Sequence, residues 1–240
     1  MPRKKKTEIS TEAIEQAWAA STKINLKGKK FSPNQRELFK LTSSPDTKIV
    51  FIGGPAGSAK TYLSVYSAMS LLSKNKDLDL LYVRTVIESA EKGLGALPGA
   101  IEEKFTPSMS PLLDKLEEMV AHSDIHDLMK SQRISAVPIN YLRGASWKNK
   151  VVIADEAQNF TFKELTTLVT RIGEGTKLFI CGDYMQSDIN GRSGFRKMSK
   201  VFTGEDCAEK GIHVFNFTKD DIFRSEILKF IIGKIENEIQ

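Results

Sequence analysis

The sequence predicts an α/β fold, with a mostly parallel β-sheet and helices on both of its faces. The first observation is a set of short, almost uninterrupted apolar segments, which is typical of strands buried on both sides. The second is that stretches with helical periodicity separate these segments, an alternation that favours parallel strands with crossover helices. The five predicted strands are 48–52, 78–83, 151–154, 178–181 and 212–217.

Capping residues mark the beginnings of several helices between these strands. Residues 32–42 form a predicted helix, with Ser32 as its N-cap and a proline at its first position. A second helix follows the first strand over 60–72. The segment Thr161–Glu164 is a capping box that begins a further helix, which ends near Thr170.

We expect one large domain that is preceded by a peripheral N-terminal segment. A chain of 240 residues suits a single α/β domain with small additions. Residues 1–30 are predicted to be a peripheral basic segment with a short helix over 10–20, and residues 31–240 form the domain. A segment at about 88–150 is inserted between the second and third strands, and its predicted helix begins at Pro111. So long an insertion favours a functional elaboration.

The composition argues against several classes of protein. The net charge of +5 and the pI of about 9.0 mildly favour a polyanionic partner. Cys181 and Cys207 are not spaced for a zinc site, and two cysteines do not make a disulfide framework. No apolar run approaches the ~20 residues of a membrane span, and no secretory signal follows Met1. We therefore expect a cytoplasmic protein without membrane contact.

The residues after the first strand match a phosphate-binding loop. The pattern GxxxxGK[ST] offers backbone N–H groups and a helix N-terminus to phosphate oxygens. In this pattern Lys60 reaches the β- and γ-phosphates, and the Thr61 hydroxyl holds Mg²⁺. The sequence therefore predicts the binding of ATP together with Mg²⁺. The predicted nucleotide-binding residues of the loop are Gly54, Pro55, Ala56, Gly57, Ser58, Ala59, Lys60 and Thr61.

Ala59 departs from the loop pattern, which has glycine at this position. If the backbone at Ala59 has a positive φ, the methyl group adds about 1 kcal/mol of strain. If Ala59 instead lies at the start of the following helix, alanine is tolerated.

Two carboxylates follow the third predicted strand. Strand 151–154 ends directly before Asp155 and Glu156. Because ligands bind at the carboxyl ends of parallel strands, we expect this pair to lie beside the loop. Asp155 is predicted to hold Mg²⁺, directly or through its water shell. Glu156 is predicted to orient or activate the attacking water.

A third polar cluster follows the fourth predicted strand. It contains Gly182, Asp183 and Gln186. Gln186 is placed to sense the γ-phosphate or its attacking water. The alternative is an ordinary turn, because glycine and aspartate favour turns.

In combination these motifs resemble the PhoH-like ATPases, phosphate-starvation-inducible proteins related to the ATPase core of superfamily 1 helicases. The resemblance covers about 31–232, and short, free-standing members of the family are common in bacteriophages. A viral origin, with the host cytoplasm as location, is therefore compatible with it. Besides the loop and the two carboxylates, the motifs are Ser32–Gln35, Arg84–Glu88, Leu94–Gly99, Tyr141–Gly144, Thr170–Gly173, Gly182–Gln186 and Asp221–Arg224.

The resemblance implies a RecA-like P-loop NTPase fold and a helicase-like enzyme that hydrolyses ATP. It also implies that Gln35 recognises adenine. Phosphoryl transfer gains from an arginine at the developing charge, and one lobe would need a neighbouring subunit to supply it. Arg224 is the first candidate for this catalytic arginine, followed by Arg171 and Arg143. A homo-oligomer, specifically a hexameric ring, is implied in the same way.

RNA or single-stranded DNA is the partner favoured by the helicase kinship and the positive charge. Trp147 is a candidate stacking platform for bases, and a core position is the alternative. The basic residues could equally form an ordinary solvated face. The candidates for a strand-binding surface are Lys27, Lys29, Lys30, Arg133, Arg143, Lys148 and Lys150.

Two other functions stay open on the sequence alone. One is a nucleotide-binding regulatory or scaffold protein with little turnover, which Ala59 makes conceivable. The other is a phosphate-loop kinase of a small metabolite, which fits the size of the chain. Glu156 argues against the kinase, because a carboxylate there suits the activation of water.

Overall fold

One parallel sheet organises the fold. The computed structural model describes residues 24–85, 101–142, 144, 146–186, 189, 191–222, 227, 230–231 and 233–234. The strands of the sheet are β1 (Ile49–Gly53), β2 (Asp79–Arg84), β3 (Ile134–Pro138), β4 (Lys150–Ala154), β5 (Lys177–Gly182) and β6 (Ile212–Asn216). Their order across the sheet is β3-β2-β4-β5-β1-β6, and each adjacent pair is parallel.

Helices connect these strands, and two of them begin with complete capping boxes. Ser32 and Gln35 form the first box, and Thr161 and Glu164 form the second, as predicted. In the described ranges no helix is long and apolar enough to cross a membrane. The predicted helix over 10–20 lies outside the described residues. The α-helices are α1 (Pro33–Ser43), α2 (Lys60–Lys74), α3 (Ile101–Met119), α4 (His122–Lys130), α5 (Phe162–Val169), α6 (Phe195–Val201) and α7 (Glu205–Glu209).

The two faces of the sheet carry separate hydrophobic clusters. On one face, Leu63 of α2 and Leu116 of α3 pack with buried strand residues. On the other face, Leu165 of α5 and Phe195 of α6 do the same. Burial on both faces explains why the strands are almost continuously apolar. The predicted α/β fold, with helices on both faces of a parallel sheet, is confirmed.

The segment predicted as an insertion contributes to the sheet itself. Its helix α3 begins at Ile101, so Pro111 lies inside the helix and the predicted start there is wrong. The helix continues through the proline because Leu112 and Leu116 are fully buried against the sheet. The strand β3 was not predicted, because its alternation is weak and it ends in Pro138. An edge strand tolerates such a proline, since it pairs on one side only.

The chain before α1 is packed from residue 24 onward. Ile24 is buried in the core of the first face. The N–H of Lys27 donates to the carbonyl of Met119 at 2.9 Å. Residues 24–30 therefore contain a buried position and a main-chain hydrogen bond to α3. The predicted domain boundary at residue 30 stays a prediction. Residues 1–23 lie outside the described part of the chain.

The carboxyl ends of the central strands lie side by side. Gly53 at the end of β1 is in register with Gly182 at the end of β5. On the other side of β5, Ala154 of β4 is in register with Ile180. The three polar segments that follow these strands therefore meet at one edge of the sheet.

Candidate nucleotide-binding site

A cavity of about 600 Å³ opens at this edge of the sheet. Its volume is in the range of small-molecule sites, and its position is where parallel sheets bind ligands. We call the part formed by residues 56, 57, 59–61, 155, 156, 158, 181–183 and 186 the phosphate end. The part formed by residues 29–31, 35, 62, 115 and 118 is the far end. The lining residues are Lys29, Lys30, Phe31, Gln35, Ala56, Gly57, Ala59, Lys60, Thr61, Tyr62, Lys115, Glu118, Asp155, Glu156, Gln158, Cys181, Gly182, Asp183 and Gln186.

The loop between β1 and α2 turns through backbone conformations with positive φ. Gly54 has φ 147°, and a side chain there would come within 2.7 Å of the Cβ of Phe217. Ala59 lies immediately before α2 in the left-handed conformation, with φ 66° and ψ 23°. The first of the two alternatives for Ala59 therefore holds, and its strain is about 1 kcal/mol. Its methyl group packs against the core of the first face.

Three loop residues shape the turn without lining the cavity: Gly54, Pro55 and Ser58. Ser58 is fully buried, and its hydroxyl donates to the carbonyl of Pro55 at 2.8 Å. This bond closes the turn from inside the protein. The remaining loop residues predicted to bind nucleotide do border the cavity.

Lys60 begins α2, and its ammonium group is held by the loop. It donates to the carbonyl oxygens of Gly54 at 2.6 Å and Pro55 at 2.9 Å. Burial lowers the pKa of Lys60, and the negative charge of Asp183 is the largest effect opposing this shift. Phosphate oxygens are stronger acceptors than carbonyls for an ammonium group, so a phosphate can compete for these bonds.

Asp155 follows β4 and is almost completely buried. Its Oδ1 accepts a hydrogen bond from the Thr61 hydroxyl at 2.7 Å. Its Oδ2 accepts one from the Tyr82 hydroxyl at 2.5 Å. The two residues predicted to hold Mg²⁺ are thus in contact, and their oxygen atoms are the ligand type that Mg²⁺ prefers.

Glu156 has a left-handed backbone, with φ 54° and ψ 42°. Its Oε2 accepts a hydrogen bond from Gln158 Nε2 at 2.5 Å. Its Oε1 lies 3.7 Å from a guanidinium nitrogen of Arg84 at the end of β2. Both carboxylate oxygens therefore face partners within the chain.

Gln158 joins the ends of two neighbouring strands. While its amide nitrogen donates to Glu156, its Oε1 accepts from the backbone N–H of Asp183 at 3.0 Å. Asp183 is buried, and its Oδ1 accepts from the N–H of Met185 at 2.9 Å. Gln186 follows this turn, is exposed and borders the cavity. Its role as a phosphate sensor stays a prediction.

The far end of the cavity is built from side chains. Gln35 is nearly buried, and its Oε1 accepts from the N–H of Ser32 at 3.1 Å. The ammonium group of Lys29 lies 3.8 Å from the centroid of the Tyr62 ring. The exposed pair Lys115 and Glu118, from α3, lies 3.1 Å apart. The segment predicted as an insertion therefore supplies one wall of the cavity.

The arginines predicted to act on phosphate are not brought into the described site. Arg224 and Arg143 lie outside the described residues. Arg171 donates to the carbonyls of Gly144 at 2.6 Å and Leu142 at 3.1 Å. These bonds hold the chain before β4.

The predicted strand-binding surface is not assembled as expected. Arg133 is buried and donates to main-chain carbonyls, and Trp147 is buried in the second cluster. For Trp147 the core alternative holds. The interpretation of Arg133 as a strand-binding residue is wrong, because the fold encloses its side chain. Lys148 pairs with Glu174 at 3.2 Å, and Lys150 pairs with Asp79 at 2.9 Å.

Three residues of the site have contacts that the sequence did not predict: Tyr82, Arg84 and Gln158. Arg84 was named only as the first residue of a family motif. Tyr82 and Arg84 belong to β2, whose register with β4 brings them beside Asp155 and Glu156. Tyr82 and Arg84 carry hydrogen-bond donors at the end of an apolar strand, and this pattern in the sequence could have indicated that they belong to the site. Gln158 is a polar residue two positions after Glu156.

The sheet, the loop after β1 and the carboxylates after β4 together define the class. The chain is a P-loop NTPase with an α/β, RecA-like fold. A family model described as PhoH-like protein matches residues 27–236. The chain therefore belongs to the PhoH-like family, as the sequence motifs indicated.

Similar proteins occur in several bacteria. A PhoH-like protein of Bacillus subtilis (strain 168) is 33% identical over 239 residues, which cover 98% of this chain and 72% of the relative. A PhoH-like protein of Mycobacterium bovis is 32% identical over 212 residues, 87% of this chain and 59% of the relative. Protein PhoH of Escherichia coli (strain K12) is 31% identical, and the match covers 81% of this chain and 54% of that protein. The chain thus spans little more than half the length of the last two.

Among solved structures, the Pif1 helicase from Candida albicans matches 88% of this chain and 44% of its own chain, with 16% identity and a TM-score of 0.44. A Bacteroides Pif1 in complex with ADP-AlF4 matches 85% of this chain and 45% of its own, with 17% identity and a TM-score of 0.38.

Proposed function

We propose that this chain binds ATP with Mg²⁺ and hydrolyses it, in a reaction coupled to RNA or single-stranded DNA. The observation that carries the proposal is a convergence: the residues assigned to phosphate, metal, water and sensor all border one cavity. They are Lys60, Thr61, Asp155, Glu156 and Gln186.

The phosphate end is suited to bind a nucleoside triphosphate. Lys60 would exchange its two loop carbonyls for β- and γ-phosphate oxygens. Thr61 and Asp155 offer hard oxygen donors at 2.7 Å from each other, and Mg²⁺ commonly takes one or two protein oxygens beside phosphates and waters. When bound, Mg²⁺ would neutralise charge that develops on the phosphates.

Glu156 is the proposed general base. It would accept a hydrogen bond from the attacking water and take its proton, while Gln186 would contact the γ-phosphate or that water. Each oxygen of Glu156 can accept a further hydrogen bond beside its contact with Arg84 or Gln158, so a water can donate to this carboxylate while both contacts persist.

The same geometry gives some support to a second function. A regulatory or scaffold protein with little turnover would keep Glu156 engaged by Arg84 and Gln158, and would tolerate the strained Ala59. The leading proposal is favoured because a scaffold has no need for a carboxylate beside a bound phosphate.

Family membership supports the proposed nucleic-acid partner and the proposed oligomer, and the positive charge supports the nucleic-acid partner alone. The net charge is +5, and polyanion binding uses such an excess. We propose a homo-oligomer, specifically a hexameric ring, in which Arg224 of one subunit reaches the phosphates of the next. Sedimentation that shows a monomer with full ATPase activity would refute this arrangement.

The test is phosphate release by the wild type and by Glu156→Gln, with and without single-stranded RNA or DNA. We expect turnover in the wild type, stimulation by one of the nucleic acids, and a loss of about 10²–10⁴-fold in Glu156→Gln with binding of ATP retained. Glu174→Gln is the matched control, because Glu174 is an exposed glutamate that pairs with Lys148 and does not line the cavity.

The other outcomes separate the alternatives. ATP binding without hydrolysis in any condition would favour the scaffold. Hydrolysis that neither nucleic acid changes would remove the proposed coupling. Transfer of phosphate to a small metabolite would replace the ATPase with a kinase.

A further inference from the structure

The carboxylate of Asp155, which follows β4, accepts a hydrogen bond from a tyrosine of the neighbouring strand β2. Tyr82 lies in β2 and has no exposed surface, and its hydroxyl donates to Asp155 Oδ2 at 2.5 Å. Asp155 itself has 4% of its surface exposed. The contact is therefore shielded from water, where a hydrogen bond to a charged acceptor is strong.

Two donors from different elements fix the orientation of this carboxylate. Tyr82 on β2 holds Oδ2, and Thr61 at the start of α2 holds Oδ1. Rotation of the carboxylate would break one of these bonds and leave a buried polar group without its partner. Asp155 is therefore preset in one orientation toward the cavity that it lines.

The tyrosine is suited to remain the donor. Burial is the largest cause that raises the pKa of Tyr82, and the charge of Asp155 raises it further. A phenol is an O–H donor with an ordinary pKa of about 10, so the Tyr82 hydroxyl can donate this bond at neutral pH. A phenylalanine at this position would fill the same space but leave Oδ2 without this bond.

We propose that Tyr82 is a positioning residue for metal binding, which orients Asp155 toward a divalent cation carried by the bound nucleotide. The inference rests on the proposed function, because it assigns Asp155 to the cation. Partners that hydrogen-bond a metal ligand set its orientation, and their loss typically costs about 10–100-fold in metal affinity or activity.

A purely structural role for Tyr82 makes a different prediction. In that case Tyr82→Phe would change the free energy of unfolding and would affect every ligand alike. A positioning role instead affects only what depends on the cation. The two roles are therefore separated by comparing nucleotide binding with and without Mg²⁺.

The experiment is equilibrium binding of a fluorescent ATP analogue to the full chain, over a series of Mg²⁺ concentrations and in EDTA. For Tyr82→Phe we expect a half-saturating Mg²⁺ concentration about tenfold higher than in the wild type, with affinity in EDTA unchanged within about twofold. Tyr66→Phe is the matched control, because Tyr66 packs through its ring against Phe31 and Tyr62 and does not contact Asp155. It should leave both quantities unchanged.

A second variant tests the route through the carboxylate. In Asp155→Asn, the added change Tyr82→Phe should shift the Mg²⁺ dependence by less than about twofold, since the effect depends on the charged acceptor. An unchanged Mg²⁺ dependence in Tyr82→Phe would overturn the proposal, as would an equal loss in EDTA. Failure of Tyr82→Phe to fold would also overturn it, because the hydroxyl would then serve the core.

These outcomes differ from failure of the proposed function. A wild type that binds no nucleotide would refute the nucleotide site as a whole. A wild type that binds nucleotide in a Mg²⁺-dependent way, with the same dependence in Tyr82→Phe, would refute only the role of the tyrosine.

Discussion

The phosphate end and the far end of the cavity are built in different ways. At the phosphate end, buried groups are already bonded to one another: Asp155 accepts from Thr61 and Tyr82, and Lys60 donates to loop carbonyls. At the far end, Gln35 and Tyr62 are nearly buried, while Lys115 and Glu118 form a partly exposed ion pair. The Lys115 and Glu118 side chains are 31% and 47% exposed, and ion pairs of this kind contribute little.

The difference suggests where binding energy and where selectivity reside. Charged groups in a water-poor site interact strongly with phosphate, so the phosphate end should supply most of the affinity. The far end should discriminate among bases through a few contacts. Inorganic tripolyphosphate, which has no base, and ATP together separate the two ends experimentally.

Removal of the Lys60 ammonium group should have the largest effect. Loss of charged hydrogen bonds costs up to about 3 kcal/mol, so Lys60→Ala should bind both ATP and tripolyphosphate about 100-fold more weakly. Isothermal titration calorimetry with each ligand measures this effect. Lys115→Ala, at the far end, is the control and should leave tripolyphosphate binding unchanged. Similar losses in both variants would show that the two ends do not differ.

The protonation of Lys60 should make phosphate binding sensitive to alkaline pH. Binding needs the charged ammonium group, and burial lowers its pKa below the ordinary lysine value. ATP affinity should therefore be constant near neutral pH and then fall by up to about tenfold per pH unit, starting before an exposed lysine would titrate. Affinity measured from pH 7 to 10 tests this. A decline that begins only in the ordinary lysine range would contradict it, and Lys115→Ala should show the wild-type profile.

A change confined to the far end should affect ATP and spare tripolyphosphate. In Gln35→Glu, a carboxylate can still accept the N–H of Ser32 and keep the capping box, but the amide donor is lost. One hydrogen bond contributes about 1 kcal/mol, so we expect about fivefold weaker ATP binding and less selectivity for ATP over GTP. Competition binding with ATP, GTP and tripolyphosphate measures both. Weaker tripolyphosphate binding would mean that the new charge acts at the phosphate end.

The same contrast explains what the sequence could predict. The phosphate end follows from motifs of adjacent residues placed at the ends of parallel strands, so Lys60, Thr61 and Asp155 could be assigned to it without a structure. Tyr82 could not, because its role depends on the register between β2 and β4. The contribution of α3 to the far end was hidden too, since the unpredicted strand β3 is what returns this segment to the sheet.

The smallest expected effect concerns the strained residue of the phosphate end. Ala59→Gly removes about 1 kcal/mol of left-handed strain but adds freedom to the unfolded chain and loses a methyl contact with the core. The free energy of unfolding should therefore rise by less than about 1 kcal/mol, as measured by urea denaturation. Gln132→Gly is the matched control, because Gln132 is exposed and also left-handed, with φ 57°.

The two glycine variants separate strain in general from strain at the phosphate end. Gln132→Gly should be stabilised without any change in nucleotide affinity. Ala59→Gly should in addition change ATP and tripolyphosphate affinity by the same factor, within about threefold, since the residue borders the phosphates and not the base. If Ala59→Gly lowers stability while Gln132→Gly raises it, the methyl contact with the core outweighs the strain. The methyl group of Ala59 would then stabilise the fold by more than its left-handed backbone destabilises it. The departure from the loop pattern would in that case not lower the free energy of unfolding.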